Sequence, residues 1–354
     1  MDTKYYFSKV KEMKQRQYYL DNACAVLIVN MIFFNHQTTF CEYTNPVISF
    51  IGFILSFYMA WFFFKAGMMF KERPIKTVVR NSAKRLLIPY MFFTFMGLVI
   101  TACQEFFLEA NNPLTIGFLK DEFWWLINWS TLFPTMACWF LLSLFVVRVV
   151  YVSLPRNRLP PQVIIGLALA LGWLVYIMSV KKELCYPLAV GSHHFQFHVP
   201  FYFGNMFHGL AFYALGSWLR EKQFAHGVFI VSMMIFLGKF FFPASMDFRA
   251  NDTGGSNYFL CVIYELSGCV VINNIFKYVA NKPIKIFSHV GQNSMVYYLT
   301  HYPFMKIICY FFYAPFALMA GGVRYTLLSG ILMGFLLFSD FVFRIKVLRK
   351  LVGN

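Results

Sequence analysis

The chain has 354 residues, of which 59% are hydrophobic, 21% aromatic and only 13% charged, about half the charged fraction of an ordinary soluble domain. No soluble core hides 45 Phe, 21 Tyr and 7 Trp, so a soluble globular protein is excluded and a polytopic membrane protein is expected. The formal net charge of +16 is explained below by topology, and a nucleic-acid partner is not expected.

The first 19 residues are polar and basic and carry no cleavable leader pattern. They precede an apolar run from Ala23 to Phe40, ACAVLIVNMIFFNHQTTF, long enough at about 1.5 Å per residue to approach the ~30 Å hydrocarbon thickness. Apolar runs between polar punctuation predict ten spans in all. They lie at about 20–40, 46–70, 86–108, 136–154, 162–180, 199–219, 227–243, 258–276, 290–313 and 316–343. The last two are long enough to tilt, and Pro303 makes a kink plausible in the ninth. With the N-terminus in the cytoplasm, 23 Lys and Arg fall on the inner side and five on the outer, at 120, 181, 182, 249 and 324. That asymmetry predicts an all-α bundle of about ten transmembrane helices with both termini cytoplasmic, its basic side chains lying beside anionic lipid.

The outer loops differ from the inner ones. Residues 105–135 combine Glu105, Glu109, Asp121 and Glu122 with three Trp, which suits either an interfacial aromatic belt or a platform for sugar rings. Residues 181–198 hold His193, His194 and His198, but no carboxylate or Cys stands at ligand spacing, so no metal is expected. The eight Cys show no CxxC spacing and suggest neither zinc nor a disulfide framework.

Polar groups at membrane depth are few, and each needs a reason. Asp21 and Asn22 open the first span, where a carboxylate complements the helix dipole. His36 lies about four turns on, and an imidazole there serves either proton transfer or a structural hydrogen bond. Lys65, flanked by aromatics near the inner end of span two, is followed by Gly67, which permits close helix approach. Arg80, Lys84 and Arg85 lead into span three. Arg80 and Lys84, one turn apart, could clasp a polyanion such as a nucleotide diphosphate, or simply snorkel from a basic inner loop. Glu265 in span eight could pair with Lys65, Lys306 or a His. In 289–306, HVGQNSMVYYLTHYPFMK, Gly291, Asn293 and Ser294 look like a polar helix start, and His301 is a second deep imidazole.

In order, these stretches resemble the acyltransferase-3 family of integral membrane O-acyltransferases, which modify bacterial surface glycans. The resemblance rests on Tyr19-Leu20-Asp21 with His36, on Phe63-Phe64-Lys65-Ala66-Gly67, and on Arg80 through Arg85-Leu86 to Pro89-Tyr90. It continues in Trp139-Phe140-Leu141 and in Gly291, Asn293, Ser294, Tyr298, His301 and Pro303. It covers nearly the whole chain and implies one integral membrane domain over 1–354, multi-pass in the bacterial inner membrane. It further implies an acyl-CoA donor, most simply acetyl-CoA, held by Lys65, Arg80, Lys84 and Arg85. The acceptor would be a hydroxyl of a cell-surface or lipid-linked glycan. His36 would act as general base or acyl carrier, with His301 or Asn293 orienting it or stabilising the oxyanion. Besides the acceptor, the implied partners are membrane lipids, and self-association as a homo-oligomer stays open.

Two departures from the family pattern stand out. Cys24 occupies the position of a basic residue, and the interval from Asp21 to His36 is one residue longer than expected. An additional residue turns a helical side chain by about 100°. Either a bulge takes it up or His36 lies off the family's catalytic position. Readings from other classes are a glycan or lipid-linked-sugar flippase and an inactive relative serving as an assembly partner. Inverted repeats or paired broken helices would favour the flippase, and neither is evident.

Overall fold

Long apolar runs leave the backbone no partner in lipid except itself, so helices are the expected outcome. The computed structural model describes residues 17–108, 115–155, 158–180, 187–190, 193–196, 203–220, 226–249 and 252–353. In chain order the helices are α1 (Tyr18–Phe40), α2 (Pro46–Met68), α3 (Ile75–Phe107), α4 (Ile116–Trp129) and α5 (Phe133–Ser153). They continue with α6 (Pro161–Val180), α7 (Phe203–Leu219), α8 (His226–Gly238), α9 (Tyr258–Val279), α10 (Lys285–Gln292), α11 (Ser294–Phe316) and α12 (Gly321–Val342). A short antiparallel pair, β1 (Pro187–Val190) and β2 (His193–Gln196), lies between α6 and α7.

A helix stands at each of the ten expected places. Among the described residues six of them, α1, α2, α3, α5, α9 and α12, are long and apolar enough to cross a membrane by length and composition. Large apolar side chains such as Phe95 and Phe107 of α3 and Leu337 and Phe338 of α12 point outward and are exposed, as lipid-facing positions are. The amino-terminal basic cluster, Lys181, Lys182 and His198 lie outside the described residues. α11 runs through Pro303 without interruption.

Local sequence sets several helix starts. Asn45 accepts the Val47 N–H at 2.9 Å in front of Pro46 at the head of α2, and Thr115 and Asn257 cap α4 and α9 in the same way. Asn22, fully buried, ties α1 to the α9–α10 connection. Its amide donates to the carbonyls of Ala280 and Lys282 (2.8 and 3.0 Å), and its oxygen accepts from Ser288 at 2.9 Å.

Glycine brings backbones together at two crossings. A Cβ at Gly67 would lie 2.0 Å from the Tyr213 carbonyl oxygen, and one at Gly216 would lie 2.0 Å from that of Phe64, so α2 and α7 touch main chain to main chain. At Gly291 a Cβ would meet the Asp21 carbonyl oxygen at 1.9 Å, which seats α10 against α1.

α2 is broken between Ile54 and Tyr58, which frees carbonyls inside the bundle. The buried Lys239 answers the break: its Nζ donates to the Phe53 carbonyl (2.5 Å) and to Ser56 Oγ (2.6 Å), and lies 4.3 Å from the Phe53 ring centre. Its charge also faces Glu265, whose buried Oε2 has no hydrogen-bond partner. The partners expected for Glu265 are engaged elsewhere: Lys65 stands 5.7 Å from the Trp61 ring and Lys306 stands 3.8 Å from that of Phe133. Lys239→Met strands both the carbonyl and the carboxylate, so it should lower stability by about 3 kcal/mol. Thermal unfolding of the detergent-purified protein measures this, and an unchanged melting temperature would deny Lys239 that role.

Candidate active site

The interval from Asp21 to His36 is resolved by helix geometry. Asn30–His36 is a π-helical segment inside α1, and a π-bulge takes up an additional residue without breaking the helix. The Asn35 amide donates to the Asn30 carbonyl five residues back at 3.1 Å, bracing the widened turn. His36 thereby faces α11, with its Nδ1 2.9 Å from His301 Nε2 and the two rings stacked at 5.1 Å and 10°. Tyr302 closes edge-on against His36 at 5.4 Å.

Hydrogen-bond logic fixes the tautomers of this pair. His301 Nδ1 lies 2.7 Å from the Tyr298 carbonyl, which can only accept, so that nitrogen carries the proton. In the neutral ring Nε2 is then the acceptor, and His36 Nδ1 must donate to it. The lone pair of His36 is left on Nε2, and His36 lines a cavity of about 400 Å³. A base with its other nitrogen held by an orienting partner is the arrangement general-base chemistry needs. His301 is fully buried and is not itself among the residues lining the cavity.

This outer cavity is also lined by Tyr58, Trp139, Tyr302, Asp247 and Arg249. The last two come from a loop closed by the Asp247–Asp252 bridge, in which the Arg249 N–H donates to Asp247 Oδ1 at 2.9 Å. The charge of Arg249 acts on His36. Sequence reasoning used Arg249 only to orient the bundle; no local pattern shows that a loop more than 200 residues away folds over His36.

A second cavity, of about 290 Å³, opens toward the other end of the same helices. Asp21, Cys24, Lys65, Arg85, Arg148 and Gln292 line it. Arg85 and Arg148 also line an adjoining space of about 330 Å³ with Lys71 and Arg73, so one basic mouth leads inward. The cation set differs from the expected one. Lys65 and Arg85 are brought together, whereas Arg80 and Lys84 are exposed and line neither space. A second π-helical segment, Ala83–Leu87, lies at this point and contains Lys84 and Arg85. Arg85 is further held by its Nε bond to the Gly353 carbonyl at 3.2 Å. Arg148, a lone charge in the apolar helix WFLLSLFVVRVVYVS, completes the set; that isolation was the signal for it.

Asn293 is placed away from the histidine pair. Its amide lies at the His289 ring and carbonyl (3.2–3.4 Å), beside a separate cleft of about 130 Å³ with Asp340 and Arg344. Eight residues separate it from His301, about 12 Å along a helix axis. There the His289–Asp340 pair (2.9 Å) joins α10 to α12, and Arg344, just past α12, donates to the same Asp340 oxygen (2.8 Å). The oxyanion role expected of Asn293 therefore has no geometric support. Among the described residues no group of three His, Cys, Asp or Glu is placed to hold a metal.

The two cavities share one residue, Tyr298. Successive turns of α1, α2, α5 and α11 line first one and then the other, so the basic mouth and His36 lie along one path. The chain matches the family model for the acyltransferase domain of the acyltransferase-3 family over residues 17–339. No curated protein and no solved structure gives a match. The match spans nearly the whole described bundle, with every residue lining the two cavities except Gly353, and the chain therefore belongs to the acyltransferase-3 family of membrane acyltransferases.

Proposed function

We propose that this protein moves a short acyl group from cytoplasmic acyl-CoA to a hydroxyl of a cell-surface or lipid-linked glycan, from a ten-span bundle in the bacterial inner membrane with both termini inside. The observation that carries the reading is the pair of cavities meeting at Tyr298, one basic and one holding His36. Lys65, Arg85 and Arg148 suit the diphosphate of the donor, and the basic end is the cytoplasmic one by charge bias. The aromatic walls and Asp247 of the outer cavity suit a sugar.

In the reaction, His36 Nε2 takes the proton of the acceptor hydroxyl as its oxygen attacks the thioester carbonyl. His301 accepts from Nδ1 throughout and so shares the imidazolium charge. The tetrahedral intermediate then expels the CoA sulfur, which leaves as the thiol with the proton from His36. The proton count closes within the site.

Charge reversal at the mouth tests the donor assignment. Arg85→Glu should weaken acyl-CoA binding at least about tenfold, through loss of one charge-assisted contact and addition of a repulsive one. Calorimetric titration of the purified protein in detergent measures it. Unchanged affinity would return these cations to a purely topological role.

A further inference from the structure

Resting on that reading, we infer that Phe62, Phe140 and Tyr298 form an aromatic gauge between the two cavities that sets the length of acyl group transferred. All three rings line the inner cavity, and Tyr298 alone of them reaches the outer one. They pack on one another as a closed triangle: Phe62 to Tyr298 at 6.5 Å, Phe140 to Tyr298 at 5.5 Å and Phe62 to Phe140 at 6.1 Å between ring centres.

Each of the three rings is braced by its neighbours. The Tyr298 hydroxyl donates to the Ala137 carbonyl at 2.6 Å, which pins it to the first turns of α5. Phe140 is backed by Phe63 at 4.9 Å, and Phe63 lies against the backbone of Gly209, where a Cβ would approach its ring to 2.7 Å. Phe62 is flanked by Trp61 at 5.9 Å. Packed aromatic walls of this kind resist an additional methylene, because overpacking displaces several side chains together.

Position along the path gives the gauge its selectivity. Lys65 and Arg85 hold the charged end of the donor at the mouth, which fixes how far its thioester reaches. The part that differs between donors is the acyl chain, and that part meets the three rings on its way to His36. One methylene in a fitted apolar site changes relative rates by about 10–200-fold.

The test compares acetyl-CoA and butyryl-CoA as donors, with glycan acylation read by mass spectrometry. In the wild-type protein butyryl transfer should be at least about tenfold slower than acetyl transfer. Phe62→Leu, Phe140→Leu and Tyr298→Leu should raise the butyryl-to-acetyl ratio, by about tenfold in at least one of them. A wild-type protein that uses both donors equally overturns the gauge, and that measurement needs no variant to fold. A ratio unmoved in all three variants, or loss of both donors in variants that remain monodisperse, overturns it as well. His36→Ala separates this failure from that of the proposed function. If that variant still acylates, the catalytic reading falls; if it is inactive while the ratio stays fixed, only the gauge falls.

Discussion

His36→Ala should reduce glycan acylation by about 10²–10⁴-fold, the usual contribution of a positioned general base, while leaving expression and membrane insertion intact. The side chain is half-buried, and its mapped contacts are to His301 and Tyr302, so its truncation removes the base and little of the fold. His301 should follow a graded pattern. His301→Phe removes the acceptor that holds His36 Nδ1–H and frees the tautomer, so activity should drop by about 10–100-fold. His301→Gln offers a carbonyl oxygen to the same proton and should retain more activity than the Phe variant. Acyl content of the glycan, measured by mass spectrometry alongside the amount of protein in the membrane, reads all three. Full activity in His36→Ala would sink the catalytic assignment, and equal loss in both His301 variants would reduce His301 to packing.

The second large effect is expected at the α2–α7 crossing. Gly67→Ala and Gly216→Ala each place a methyl group 2.0 Å from a carbonyl oxygen of the opposing helix. Backbone on both sides leaves nothing flexible to yield, so the helices must separate. The cost should be about 3 kcal/mol or more, at the upper end of overpacking effects. Lys65 lies two residues from Gly67, so the shift should also weaken acyl-CoA binding. A lower melting temperature together with a raised Kd is the expected pair of results. If both variants melt like wild type, the close approach of the two helices is wrong.

The membrane class and the helical segments were legible because apolar run length speaks directly to a bilayer. The histidine pair was half legible. Each imidazole stood out as a charge-capable group in an apolar run, but their meeting depends on contacts 265 residues apart in sequence. The π-helical turn was one reading open from the Asp21–His36 interval, and only the three-dimensional structure made it visible. The proposed donor cations show the limit most plainly. Arg80 and Lys84 fitted a helical-face pattern but line neither basic cavity, whereas Arg148 lines both and matched no pattern except its isolation. Glu265 was visible as a charge at depth, yet the neighbouring Lys239 is engaged by a break in α2, six helices earlier in the chain. Periodicity describes one helix at a time, and the site is made where four of them face one another.

Tyr298 has a consequence for the membrane as an electrical insulator. Elsewhere the bundle separates the two aqueous compartments by the full ~30 Å of hydrocarbon. Along the path from the basic mouth to His36 the two cavities meet at Tyr298, which packs on Phe62 and Phe140 and donates one hydrogen bond to Ala137. On the proposed topology, with one cavity open to each side, most of the transmembrane voltage would drop across those rings. In the proposed reaction, an uncharged acyl group would cross such a focused field at no electrical cost, whereas the phosphates of an acyl-CoA donor would stay behind. On the proposed reading, the rings that meet the acyl chain would also keep ion gradients from discharging through the protein.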